Sequence, residues 1–184
     1  KLAAVLFVIT AITGLILGGV YTMTLEPISS AKEKEKMAAL AETLPEASNF
    51  EEVDCPQDHS IIKEVNKGSV NGETVGYNLT VTPKGYGGLI EMVVGIDDEG
   101  KLIDIKILSH TETPGLGAKA ADPAFSDQFE KKNVDRIVIT KSAPTAENEV
   151  QAISGATITS SAVADGVNTA LEYWAKNLKG EGNK

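Results

Sequence analysis

The sequence predicts an α+β domain, a largely antiparallel sheet with flanking helices, preceded by one N-terminal transmembrane helix. Three patterns carry this reading. Residues 2–23 hold no charged side chain and are dominated by Leu, Val, Ile and Ala, which meets the roughly 20 residues a helix needs to cross a hydrocarbon core. Between residues 61 and 108 apolar side chains alternate with period two in short runs separated by turn residues, the signature of a β-meander. Near the end, Val163, Val167, Leu171, Trp174 and Leu178 fall on one stripe of a helix over about 161–178. The expected organisation is a transmembrane anchor over 1–25, a juxtamembrane helix and linker over 26–60, and a folded domain over 61–184.

Taken in order, the apolar run is longer than the core of a signal peptide, and no clean small-x-small cleavage site precedes Glu26. Gly14, Gly18 and Gly19 leave a flat face suited to a neighbouring membrane helix. Pro27 is expected to break the helix, which restarts over 28–44 with Met37, Leu40, Ala41 and Leu44 at helical spacing and ends at Pro45. Its run of alternating lysines and glutamates from Lys32 to Lys36 reads as a solvated face. Residues 46–60 read as a polar, irregular connection. Runs 61–70 and 73–82 flank Asn71-Gly72, a strong hairpin signal because both residues tolerate positive φ. Runs 89–96 and 101–108 are joined by an acidic turn at 97–100 that lacks the ligand spacing of a calcium loop. Asp122-Pro123 marks the start of a short helix to about 132. Residues 134–140 read as a buried strand, 141–148 as a polar excursion, and 180–184 as a frayed tail.

Lys1 is the only charge before the span, so all 26 acidic residues and every other basic one lie after it, and that part carries a formal charge of −10. Such a balance argues against nucleic acid and against docking flat on an anionic leaflet. The positive-inside rule leans toward a cytoplasmic N-terminus with the domain outside. Cys55 is the only cysteine, which excludes an intramolecular disulfide and a cysteine-ligated cluster, and His59 and His110 are too few and too far apart in sequence to mark a metal site.

Two stretches carry chemistry. Residues 154–161, Ser-Gly-Ala-Thr-Ile-Thr-Ser-Ser, place hydroxyls and one glycine immediately ahead of the last helix. Unpaired N–H groups and the positive dipole end of a helix suit a phosphate there, Gly155 lets the main chain come close, and the alternative is that Thr159, Ser160 or Ser161 is simply an N-cap. Residues 110–117, His-Thr-Glu-Thr-Pro-Gly-Leu-Gly, form a loop in which Pro114 gives stiffness, Gly115 and Gly117 let the backbone lie flat, and Leu116 offers an apolar contact; an ordinary Pro-Gly turn reads the same way. Glu112 and Lys119 either hydrogen-bond a ligand or are solvated ends of this loop, and Tyr86, set among Gly85, Gly87 and Gly88, either covers the site or is an exposed loop aromatic. No nucleophile-base-acid arrangement is visible, which fits a carrier whose chemistry belongs to a cofactor.

Ser154-Gly155-Ala156-Thr157 followed by Ile-Thr-Ser resembles the flavinylation motif of the FMN-binding domain found in the G component of the Rnf electron-transport complex and in the C component of the sodium-pumping NADH:quinone reductase. The loop Thr113-Pro114-Gly115-Leu116-Gly117 resembles that family's second signature, and two signatures in the right order are far more specific than either alone. The resemblance implies covalent FMN on Thr157 through a phosphoester, with Ser154, Gly155, Ala156 and Thr159 around the phosphate. It places the 113–117 loop beside the flavin, where Glu112 and Lys119 either hydrogen-bond its ring or phosphate or are the solvated ends of that loop. It further implies a separate flavin transferase that takes FMN from FAD, other membrane subunits as partners, and a domain on the extracytoplasmic side of the cytoplasmic membrane; from the residues themselves no metal site and no independent catalytic site are expected. The compact chain looks more like the Rnf component. A quinone-reductase component, or a membrane-tethered binding module that passes no electrons, are the alternatives.

Overall fold

The computed structural model describes residues 1–54 and 61–180. Cys55 and His59, and the part of the tail beyond Gly180, lie outside the described residues. The chain divides into two units, Lys1–Met37 and Ala38–Lys184.

The first unit is helical throughout, because helix α1 runs without interruption over Leu2–Thr43 with Pro27 inside it. The expected break at Pro27 is therefore absent. Proline's φ fits a helix, and its missing N–H and the crowding of the carbonyl four residues back are local costs that this continuous helix carries. Its most apolar 18-residue window has a mean hydropathy of 2.4, so α1 is long and apolar enough to cross a membrane.

The second unit is built on a five-stranded antiparallel sheet in sequence order, β1 Asn49–Val53, β2 Ile62–Val70, β3 Glu73–Val81, β4 Glu91–Asp97 and β5 Leu102–Ser109. The connection expected to be irregular over 46–60 thus contains an edge strand, and the sheet begins ahead of residue 61. In β1 only Phe50 and Val53 are even half-buried, so no period-two signal reaches the sequence. The hairpin at Asn71-Gly72 has the positive φ values its turn requires, 52° and 88°.

One face of the sheet presents Leu79, Val81, Met92, Val94, Ile96 and Ile105 to the core. Helix α3, Thr157–Tyr173, lays Val163, Val167 and Leu171 on that face, and a π-turn over Trp174–Leu178 continues it with Trp174 and Leu178 buried. The stripe read from the sequence is thus the buried one. Gly166 lets α3 approach closely, since a Cβ there would meet Met92 Cε and the Pro83 ring.

Between β5 and α3 the chain is mostly short turns. A 3₁₀ turn over Gly117–Ala121 precedes α2, Pro123–Ser126, and a second 3₁₀ turn, Asp127–Phe129, in place of the single helix expected to about 132. Phe125 and Phe129 pack edge to face at 5.4 Å and fix these turns to the core. The strand expected over 134–140 shrinks to β6, Val138–Thr140, paired in parallel with β7, Glu149–Gln151. Val138 is 44% exposed, and the burial falls instead on Ile137. Asn168 of α3 clamps the Ile137 backbone, accepting from its N–H at 2.7 Å and donating to its carbonyl at 3.0 Å.

Candidate functional site

Helix α3 starts at Thr157, four residues earlier than expected. Its N-cap position is Ala156, with no side-chain cap, which replaces the reading of Thr159, Ser160 or Ser161 as the cap. Ser160 instead pins the preceding turn, donating from Oγ to the Ala156 carbonyl at 3.0 Å and accepting from the Ile153 N–H at 2.9 Å. Gly155 takes φ +78° in that turn. Ser160 N–H reaches the Ala156 carbonyl, so the N–H groups of Thr157, Ile158 and Thr159 precede the first intrahelical bond. They stand at the positive end of a 17-residue helix, beside an exposed Thr157 side chain.

Glu112 organises what faces this turn. It is only 6% exposed, and both carboxylate oxygens are used: Oε2 accepts from the Thr159 hydroxyl, and Oε1 from the Gly87 N–H at 2.8 Å. Thr111 Oγ1 adds a bond to the Gly87 carbonyl at 3.1 Å. One buried side chain therefore ties the glycine loop around Tyr86, the 110–117 loop and the first turn of α3 into a single assembly. The surrounding glycines leave it room. A Cβ at Gly117 would meet Glu112 Oε2 at 2.5 Å and Thr159 Oγ1 at 2.6 Å, whereas Gly115, at φ +77°, faces open space.

Between these segments lies a cavity of about 470 Å³. Glu112, Thr113, Leu116 and Gly117 line one wall and Gly155, Ala156, Thr157, Ile158 and Thr159 the other, with Tyr86, 73% exposed, at its mouth. The two stretches singled out in the sequence thus meet in space across some 40 intervening residues. Pro114 and Gly115 do not line this cavity. Ser154 and Lys119 line a neighbouring one of about 240 Å³ with Gln128 and Gln151. Ile158, 58% exposed, is a lining residue that sequence reasoning misses, because an isoleucine inside a hydroxyl-rich run carries no chemical signal of its own.

The two glycines of the 113–117 loop are expected to behave differently. Gly117→Val drives a side chain into the Glu112–Thr159 contact, and overpacking of this kind costs about 1–3 kcal/mol before the lost hydrogen bonds are counted. A fall in melting temperature of about 5–10 °C is expected, at roughly 2–4 °C per kcal/mol for a chain of this size. Gly115→Ala meets only backbone strain of about 1 kcal/mol. Thermal melts of both variants by circular dichroism check the order, and equal melting temperatures would remove the brace as a structural determinant.

The residues present fit a flavin mononucleotide. The volume is within the roughly 300–1,000 Å³ of small-molecule sites, Leu116, Ile158 and Tyr86 offer apolar surface for a ring, and the helix N-terminus offers donors for a phosphate. Away from this site, burial raises the Asp104 carboxyl to about 6, with Glu130, Glu42 and Asp127 adding to the effect against an opposing bond from the Ile105 N–H. These acids surround a small cavity of about 110 Å³ that shares no lining residue with the one beside Thr157.

Residues 85–172, which include both walls of this cavity, match the family of FMN-binding domains. The fold is shared with the crystal structure of the C component of the Na(+)-translocating NADH-quinone reductase from Parabacteroides distasonis, at a TM-score of 0.63 and 18% identity over 83% of this chain and 96% of that one. The G component of the proton-translocating ferredoxin:NAD(+) oxidoreductase complex of Clostridium ljungdahlii is 37% identical over 88% of this chain and 83% of its own length. Its Na(+)-translocating counterpart from Acetobacterium woodii is 35% identical over 95% and 90%, and the G component of the ion-translocating oxidoreductase complex of Methanosarcina acetivorans 33% identical over 94% and 93%. The chain belongs to the family of G components of Rnf-type ion-translocating oxidoreductase complexes.

Proposed function

We propose that the chain is the membrane-anchored G component of an Rnf-type ferredoxin:NAD oxidoreductase, with FMN held covalently through a phosphoester on Thr157 and the domain on the extracytoplasmic side. The observation that carries the site assignment is the contrast between the two hydroxyls that α3 presents to the 470 Å³ cavity. Thr159 is buried and committed to Glu112, while Thr157 is exposed and, among the described residues, without a hydrogen-bond partner. The span over 2–23 supports the anchor, and the relatives of 33–37% identity support the Rnf complex over the quinone reductase, to which the likeness is one of fold.

Bound FMN supplies the electron-transfer chemistry, and the chain's residues do the holding. Leu116, Ile158 and Tyr86 keep water from the ring. The first N–H groups of α3 receive the phosphate, and Glu112 keeps both walls in register. In the attachment step Thr157 Oγ forms a bond to the phosphorus of the FMN half of FAD, the pyrophosphate P–O bond breaks, and adenylate leaves. The hydroxyl proton passes to a base of the transferase, and Glu112, which accepts from Gly87 and Thr159, serves to hold the walls of the cavity. The test is the intact mass of the full chain, denatured, after co-expression with a flavin transferase. A gain of one FMN less one water that maps to the peptide containing 154–161 is expected. Flavin released by denaturation would reduce the reading to a reversible FMN binder, and no flavin at all would leave a binding module that passes no electrons.

A further inference from the structure

Thr157 and Ile158 line a second cavity, of about 280 Å³, in addition to the one between the two signature loops. Its other walls are Lys84, Ser161, Ala162 and Asp165. Thr157 therefore stands on the boundary between two spaces of different character. The first has no cationic side chain in its lining, and the second has one, Lys84. Among the described residues the Lys84 ammonium is in no ion pair, although the chain as a whole is acidic. We propose that Lys84 is the phosphate-recognition residue of this site, holding the anionic end of the flavin nucleotide in the second cavity beside Thr157 while the ring occupies the first.

The placement follows from the hairpin on which Lys84 sits. Its backbone bridges to Leu89, the Ile90 N–H bonds to the Pro83 carbonyl at 2.9 Å, and the Gly85 N–H to the Gly88 carbonyl at 2.7 Å. The base of the loop that carries Tyr86 is thereby fixed. The same loop is locked to Glu112 through Gly87, so Lys84 is delivered to α3 by the brace that shapes the ring cavity. A phosphodiester on Thr157 carries one negative charge next to a helix N-terminus, and an ammonium beside it gives a charge-assisted hydrogen bond in place of water. Ser161, one turn on from Thr157, adds a hydroxyl to the same wall. Asp165 lines the same cavity and is the opposing charge there, two turns along α3 from Thr157, so the phosphate sits at the Thr157 end, where Lys84, Ser161 and the first N–H groups of α3 outnumber it. Lys119, the cation that the sequence offered for this role, lines neither cavity beside Thr157.

This inference rests on the covalent FMN reading, and its test separates the two. Purified full-length apo chain is incubated with a flavin transferase and FAD, and the initial rate of mass gain is measured for wild type, Lys84→Met, Lys84→Arg and Lys176→Met, the last removing an exposed lysine near the far end of the chain's final helix. Lys84→Met is expected to slow attachment about tenfold, the scale of one hydrogen bond to a charged group, with Lys84→Arg within a few-fold of wild type and Lys176→Met unchanged. In fully modified protein the ³¹P resonance of the phosphodiester should shift in Lys84→Met while the flavin absorbance stays as in wild type. Equal rates and an unmoved ³¹P resonance in Lys84→Met would overturn the assignment, as would equal slowing by Lys176→Met. If wild type gains no mass, the covalent reading fails and Lys84 is judged on binding of free FMN against riboflavin. A loss confined to FMN in Lys84→Met upholds it, and equal affinities of wild type for the two flavins, or no binding of either, overturns it.

Discussion

Thr157→Ala is expected to reduce covalent flavin to background without loosening the fold. Thr157 is exposed at the first position of α3, and surface substitutions away from caps and buried bonds usually change stability by less than about 0.5 kcal/mol. The neighbouring hydroxyls are not expected to take over. Thr159 is 2% exposed and donates to Glu112; Ser160 is fully buried and joins Ile153 to Ala156. Ser161 lies a full turn further along the helix, about 6 Å by helical rise from the position where the first cavity opens. Thr157→Ser keeps an oxygen at the same place and is expected to retain attachment. Intact mass and flavin fluorescence of denatured protein from cells with a flavin transferase read both outcomes. A Thr157→Ala chain that still gains one FMN less one water would move the attachment point elsewhere.

What the sequence made legible were features whose signal is local. Asn71-Gly72 required positive φ and has it; the α3 stripe repeats at helical spacing and is buried. The two signature stretches could be named from residue types, and their meeting around one cavity comes from the 3₁₀ turn after β5, which packs against α3. What could not be read depended on distant partners. Glu112 looks like the end of a loop in sequence because nothing local shows that Gly87 and Thr159 converge on it. Lys84 sits in a turn between strands, with no sequence cue connecting it to a helix that begins over seventy residues later. β1 has a polar pattern because it is an edge strand, and Pro27 lies in a helix although proline reads as a breaker, since its φ is itself helical. The start of α3 lies earlier than its hydroxyls suggest, because they read as caps whereas Ser160 bonds back into the turn that precedes Thr157.

A fragment begun at residue 61 is expected to lose cooperative folding, whereas one begun at residue 38 is expected to keep it. The sheet surface opposite α3 is shaped for the end of α1. Leu40, Thr43 and Leu44 are each at most 2% exposed, and three glycines on adjacent strands make the space: a Cβ at Gly68 or Gly76 would meet Leu44, and one at Gly95 the Thr43 backbone. Asn78, fully buried on β3, donates to the Leu40 carbonyl at 3.3 Å and to Thr43 Oγ1 at 2.6 Å. Removing residues 38–60 takes away both leucines, leaves the Asn78 amide without these partners, and exposes the edge of β2 that β1 covers between Val65 and Ser69. Deleting a buried leucine side chain alone costs about 2–5 kcal/mol, and losing the acceptors of a buried amide about 1–3 more. Set against a total stability of about 5–15 kcal/mol for a domain, these losses bring the shorter fragment to or below the folding threshold. Urea melts of fragments 38–184 and 61–184 decide the matter: a cooperative transition is expected for the longer one alone. If the fragment begun at residue 61 unfolds cooperatively at a similar midpoint, the end of α1 is an ornament on the sheet and not part of its core.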